Sequence, residues 1–197
     1  GVADPELFIS GAFGTVNFGD VGGLNDIAAG DVGFDGVGAE SLTDDGIGSD
    51  DINWKYTVNG VSLGLGYDTT TDDMTYSVGF SFSGVDVTVA GAEFDNDDSD
   101  IRVMAGTSFG PLSATVLFTD TELSGTTVNA SAINVGYAVN DALSVAAAFA
   151  QSDAAGDPDS SGVGFTYNLG GGLSLAGAVG TTTADVDVAD FGFKMAF

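Results

Sequence analysis

The chain is 197 residues long, with 29 acidic residues against three basic ones and a formal net charge of -26. That balance excludes a nucleic-acid partner, since no basic patch can be assembled. The absence of Cys and His excludes disulfides, thiol chemistry and the commonest general base and transition-metal ligand.

Such acidity signals disorder only when hydrophobicity is low. Here 44% of residues are apolar, and they fall in ordered, alternating runs with the acids placed between them. The expectation is a folded all-β protein with acidic loops. No window approaches 18 uncharged apolar residues, so no transmembrane helix is expected. No signal peptide is visible, and Gly1 in place of an initiator Met points to a processed or truncated chain.

In chain order, period-two patterns predict strands at about 6–12, 15–21, 52–58, 61–69, 74–83, 85–95, 101–109, 112–123, 128–139, 142–153, 162–169, 173–182 and 188–197. The run Ala146–Ala148 belongs to a strand, because Leu143, Val145, Ala147 and Phe149 keep the two-residue rhythm. The phases agree from strand to strand. One face carries Ile52, Trp54, Tyr56 and Val58, then Val61, Leu63, Leu65 and Tyr67, then Met74, Tyr76, Val78, Phe80 and Phe82. All five tyrosines lie on this apolar phase. The opposite face carries mostly Gly, Ser, Thr and Ala.

Connections alternate in length. Short ones are expected at Phe13–Gly14, 58–60, Ser83–Gly84, Gly110–Pro111, Asn140–Asp141 and Gly170–Gly172. Longer acidic ones are expected at 22–51, 70–73, 96–100, 124–127, 154–161 and 183–187. Short turns on one rim, long loops on the other and an apolar outer face describe an antiparallel transmembrane β-barrel. A soluble sandwich would bury the same apolar phase, but its exposed strand face should then carry the acids. In this chain the acids concentrate in the loops.

The last strand, Val188 to Phe197, alternates apolar residues with Asp190, Gly192, Lys194 and Ala196 and stops on an aromatic. Together with Leu7-Phe8-Ile9-Ser10-Gly11-Ala12-Phe13-Gly14-Thr15-Val16-Asn17-Phe18-Gly19-Asp20 and Tyr167-Asn168-Leu169-Gly170-Gly171-Gly172-Leu173-Ser174-Leu175, it resembles the general porins of alphaproteobacteria, those of photosynthetic purple bacteria especially. The resemblance implies an integral outer-membrane protein of a Gram-negative bacterium, a 16-stranded homotrimer with a third loop folded into the lumen. It implies no enzyme and no cofactor, but a passive diffusion pore for small hydrophilic solutes and ions, in contact with outer-membrane lipid and lipopolysaccharide. Residues 1–197 then form one barrel of about 13 strands, or 16 if three N-terminal strands are missing. The alternative is a surface or fibre subunit that assembles by strand addition, since an incomplete barrel exposes sheet edges.

By order, 22–51 corresponds to the inward loop. Its acids Asp26, Asp31, Asp35, Glu40, Asp44, Asp45, Asp50 and Asp51 are the candidate constriction, which would favour cations through a focused field. The plain alternative is a solvated surface loop. Lys55, Arg102 and Lys194 fall on the polar phase and are the candidate opposing basic strip, or else pair locally with nearby acids. The run Asp95, Asp97, Asp98 and Asp100 is a weak Ca²⁺ candidate, as hard cations take oxygen ligands, but its spacing does not match an EF-hand.

Overall fold

The computed structural model describes residues 7–34, 37, 49–95 and 97–196. Among them are thirteen strands in one antiparallel sheet, each hydrogen-bonded to its neighbours in sequence. They are β1 (Leu7–Gly11), β2 (Gly14–Phe18), β3 (Ile52–Val58), β4 (Val61–Tyr67), β5 (Met74–Phe82), β6 (Val85–Glu93), β7 (Ser99–Phe109), β8 (Leu112–Leu123), β9 (Thr126–Ala138), β10 (Leu143–Ser152), β11 (Asp159–Gly170), β12 (Leu173–Thr181) and β13 (Asp187–Met195). The number and order match the sequence expectation.

One predicted connection is corrected. Residues 124–127, expected as a longer acidic loop, reduce to the two-residue turn Ser124–Gly125. Both residues have positive φ, as do Asn59–Gly60 and Ser83–Gly84. That pairing is the type I′ geometry whose twist suits a hairpin. The strand expected at 112–123 ends as predicted, whereas the next begins at Thr126 rather than 128, because Thr126 and Thr127 carry no apolar alternation to mark it.

The chain divides into two compact units. The first comprises 1–27, 45–104 and 119–128 and carries β1–β6 with parts of β7–β9. Its pairings set one phase throughout: Val16 opposite Trp54, Trp54 opposite Leu65, Leu65 opposite Tyr76. Large side chains of this phase stand exposed, including Leu65, Val78 and Phe80. Trp54 stacks on Tyr56 at 5.7 Å and donates its indole N–H to the Phe13 carbonyl at 2.6 Å. The ring thus keeps an apolar face outward and satisfies its one polar atom on the adjoining turn.

The second unit comprises 28–44, 105–118 and 129–197. The same alternation continues: Val135, Ala147, Val163, Val179 and Ala189 form one row across five strands. Val163 and Val179 are more than half exposed, at 56% and 55%. The opposite phase holds the buried apolar residues Ala130, Ala132, Ala148, Ala150, Ala176 and Ala178. Burial is therefore inverted in both units: large apolar strand side chains stand mostly outside and small or polar ones inside, with Leu117 on β8 a fully buried exception. A soluble sandwich shows the reverse, so the apolar face is built for hydrocarbon.

Val145, at 39% exposure, lies within the apolar row of β10, and Ser144 beside it lies on the small-residue phase. Val145→Arg is expected to lower stability in lipid vesicles, by less than the roughly 2–4 kcal/mol of a cation at bilayer midplane because position 145 lies near the turn end of β10. Ser144→Arg is expected to be nearly neutral. Urea titration of the protein refolded into vesicles checks both.

Candidate functional site

The long connection between β2 and β3 has two described stretches, each lying against the small-residue face of its own unit. In the first unit the connection leaves β2 through Gly19 and Val21, whose N–H groups donate to the carbonyls of Asp51 and Asp50, both at 2.9 Å. These bonds close the base of the loop. Leu24 then lies over Gly64, where an added Cβ would stand 2.9 Å from the leucine methyl.

Asn25 follows and is fully buried. Its side-chain amide donates to Asp100 Oδ2 at 2.8 Å. Arg102 Nε donates to the same oxygen at 2.8 Å, and the Thr121 hydroxyl donates to Asp100 Oδ1 at 2.8 Å. Asp100 is fully buried and Arg102 is 3% exposed. One carboxylate on the wall therefore holds a loop amide, a guanidinium and a neighbouring strand together. Charge-assisted bonds of this kind are roughly twice as strong as neutral ones.

Asp50 sits at the other end of the loop, also fully buried. Both of its oxygens accept from the Thr75 hydroxyl, at 2.8 and 2.9 Å. The Leu24 N–H donates to the same hydroxyl oxygen at 3.2 Å. A side chain at position 66 would run into the Asp50 carboxylate, so Gly66 is required for the close approach. Burial pushes the Asp50 carboxyl above its ordinary value. The Thr75 hydroxyl and the Lys55 ammonium pull it down, but do not overcome the burial. Asp68 nearby moves the other way. Bonds from the Ser49 hydroxyl and from the N–H groups of Thr70 and Thr71 hold it below the ordinary carboxylate range.

In the second unit the connection is held at several points. Asn134 on β9 donates to the Gly30 carbonyl at 2.7 Å. Val32 and Val37 exchange two backbone bonds, at 3.0 and 2.8 Å, and both are buried. They sit over Gly162 and Gly180, where an added Cβ would come within 3.0 Å and 2.5 Å of the valine methyls. The Phe34 N–H donates to both oxygens of Asp190 at 3.0 Å, and the Ala178 N–H donates to Asp190 Oδ1 at 2.7 Å. Lys194 Nζ reaches the Gly33 carbonyl at 3.4 Å and stands 5.7 Å from the centre of the Phe34 ring.

The acids expected in the constriction thus divide by environment. Asp26 is exposed and Asp31 half-buried. Asp50 is enclosed, and Asp51 accepts from the backbone N–H of Thr69 at 2.8 Å and from its hydroxyl. Asp35, Glu40, Asp44 and Asp45 lie outside the described residues. Of the three cations, Lys55 and Lys194 are exposed, while Arg102 is withdrawn into its pair with Asp100. The weak Ca²⁺ candidates do not converge: Asp98 accepts from the Ser124 N–H at 2.6 Å, Asp100 serves Arg102, and Asp95 and Asp97 point to solvent. No group of three or more acids able to hold a metal occurs among the described residues.

Sequence reasoning did not single out Asn25, Thr75, Thr121, Asn134 or Phe34. The available signal was indirect. Glycine recurs on the inner phase at 64, 66, 162, 164, 180 and 192, in strands that have room for side chains only if nothing lies on them. Such a run marks backbone approached closely by another segment.

The family model described as Gram-negative porin matches residues 4–187. The chain belongs to the Gram-negative porin family. Two substituted variants of the porin of Rhodopseudomonas blastica share its fold at a TM-score of 0.81 and 21% identity, over 98% of this chain and 76% of theirs. A third structure, described as "Asymmetric conductivity of engineered proteins", matches at the same values. No curated protein matches the chain significantly. This porin is an integral outer-membrane protein, an antiparallel transmembrane β-barrel and a diffusion pore rather than an enzyme. Its exposed apolar phase is accordingly the lipid-facing one.

Removing Asp100 takes away the buried carboxylate that pairs with the Arg102 guanidinium. Asp100→Ala is expected to lower stability by about 3–5 kcal/mol, whereas exchanging the pair together, Asp100→Leu with Arg102→Met, is expected to cost less but not to be neutral, because the Asn25 amide and the Thr121 hydroxyl still lose their acceptor. Urea unfolding of the refolded porin distinguishes the two. Asp50 gives a pH signature of opposite sign to ordinary acid denaturation. Its folded pKa is raised, so the folded loop base binds a proton more readily than the unfolded chain and gains stability as pH falls through that raised value. Asp68 contributes stability above the ordinary carboxylate range and loses it as pH falls through its depressed value. Asp50→Asn is expected to abolish the gain in protection on acidification, read by hydrogen exchange at Val21 and Leu24.

Proposed function

We propose that the pore is cation-selective and that residues 22–51 form its constriction. The observation that carries this reading is the attachment of the segment to the small-residue face. Asn25 is bonded to Asp100, and the Phe34 N–H to Asp190, both on strands whose opposite phase faces lipid. A segment held on that phase borders the water-filled side of the wall. Its length accords with a functional loop rather than a plain connection.

Charge supports the sign of the selectivity. The connection carries Asp26 and Asp31 beside its docked stretches, and Asp35, Glu40, Asp44 and Asp45 further along. Against these stand Lys55 and Lys194, because Arg102 is neutralised by a buried partner. A narrow passage walled by low-dielectric protein focuses such a field and raises the local concentration of cations. Transport is passive diffusion of small hydrophilic solutes and ions, with no energy coupling. Asp50 and Asp51 act in this scheme by holding the loop base.

We further infer a homotrimer, the family's assembly, seated in lipid and lipopolysaccharide. Divalent cations such as Ca²⁺ would bridge the acidic loops to anionic lipopolysaccharide without entering the transport mechanism.

In planar bilayers under a KCl gradient, the reversal potential is expected to take the sign of K⁺ preference. Asp26→Asn combined with Asp31→Asn is expected to move it toward zero, and raising the salt concentration to shrink the effect by screening. Zero or anion-selective reversal potential in the unsubstituted protein contradicts the proposal.

A further inference from the structure

We propose that the inner face of the last strand is a clamp for Gly33 and Phe34, and that this clamp sets the width of the pore. The proposal rests on the reading of residues 22–51 as the constriction. Three alternate positions of β13 take part, all on the small-residue phase: Asp190, Gly192 and Lys194. Each meets a different chemical feature of the same dipeptide. Asp190 accepts the Phe34 N–H on both oxygens at 3.0 Å. Gly192 provides the floor for the ring: a Cβ there would stand 2.6 Å from three ring carbons. Lys194 closes the far side, with Nζ 3.4 Å from the Gly33 carbonyl and 5.7 Å from the ring centre.

The fit is reciprocal. Gly33 has φ of +96°, and a Cβ on it would meet both the Asp190 carboxylate and the Ala178 methyl at 2.5 Å. Neither glycine therefore tolerates a side chain while the contact is made. A hydrogen-bond acceptor, an empty floor and a cation for a carbonyl and a π face are what a peptide N–H, an aromatic ring and a peptide C=O require. The wall thus recognises an aromatic residue of its own loop. Because the ring lies flush against backbone, any group added at position 192 moves the ring and its loop off the wall and into the passage.

The experiment uses single-channel recording of the refolded porin. Gly192→Val is expected to lower conductance, and adding Phe34→Ala to it is expected to restore conductance toward the original value by vacating the space. Wild-type conductance in Gly192→Val, or no recovery in the double variant, overturns the clamp. If Gly192→Val does not refold, Phe34→Cys with Gly192→Cys supplies the second arm. The chain has no other cysteine. Cross-linking under oxidation with conductance preserved supports the clamp, and failure to cross-link overturns it. A separate Asp26→Cys variant, treated with a charged thiol reagent, tests the underlying reading. Loss of current on labelling places the loop in the pore whatever the clamp variants do. Unchanged current rejects the constriction, and the clamp's role in pore width with it.

Discussion

The rest of the structure depends on one constraint: in hydrocarbon every backbone N–H and C=O must find its partner within the protein. Antiparallel pairing between successive strands satisfies that demand from β2 through β12, and the period of two then assigns each residue to lipid or to the interior. Position 145 faces lipid and 144 does not, and a shift of one register would exchange the two along the whole strand. Lipid removes the usual reason for large apolar side chains to turn inward. They stay outside, and the interior is left to residues chosen for other reasons.

Those reasons are visible in what lies on the inner face. Gly64 and Gly66 admit Leu24 and Asp50, Gly162 and Gly180 admit Val32 and Val37, and Gly192 admits Phe34. Between the glycines stand a few polar groups placed where the loop's own polar atoms arrive: Thr75, Asp100, Asn134 and Asp190. The same face therefore performs two tasks. Its small residues leave room for the connection, and its acceptors and donors fix where the connection runs. Burial of Asp50 and Asp100 within these contacts also removes them from the population of acids that a passing ion would meet.

Charge has a corresponding division of labour. Acids at the loop base and on the wall act as hydrogen-bond acceptors within the protein, whereas Asp26 remains exposed. The single arginine follows the same logic. On sequence it belonged with the lysines as part of a basic strip, because it falls on the inner phase. In the folded chain Asp100 is two residues away on the same face, and strands β7 and β8 bring Thr121 to the second carboxylate oxygen. Asp100 was expected in the connection 96–100 rather than on the strand, so only local pairing with a nearby acid was legible. The burial that makes it structural, rather than part of a solvated field, was not.

Strand number, order, phase and the lipid-facing surface were all readable from the chain itself, because they follow from a period of two that repeats locally. Hairpin turns such as Asn59–Gly60 were readable for the same reason: their dihedral demands are met by adjacent residues. Which inner residues meet which part of the long connection was a tertiary decision. Asn25 meets Asp100 across 75 positions, and Phe34 meets Asp190 across 156. No local pattern encodes such pairs, since each depends on how many strands intervene and where the loop comes to rest. The sequence by itself determined a sheet with an apolar outer face and a glycine-rich inner one. Only the tertiary structure decided that the glycines are occupied, that Asp50 and Arg102 are enclosed, and that the last strand grips the loop.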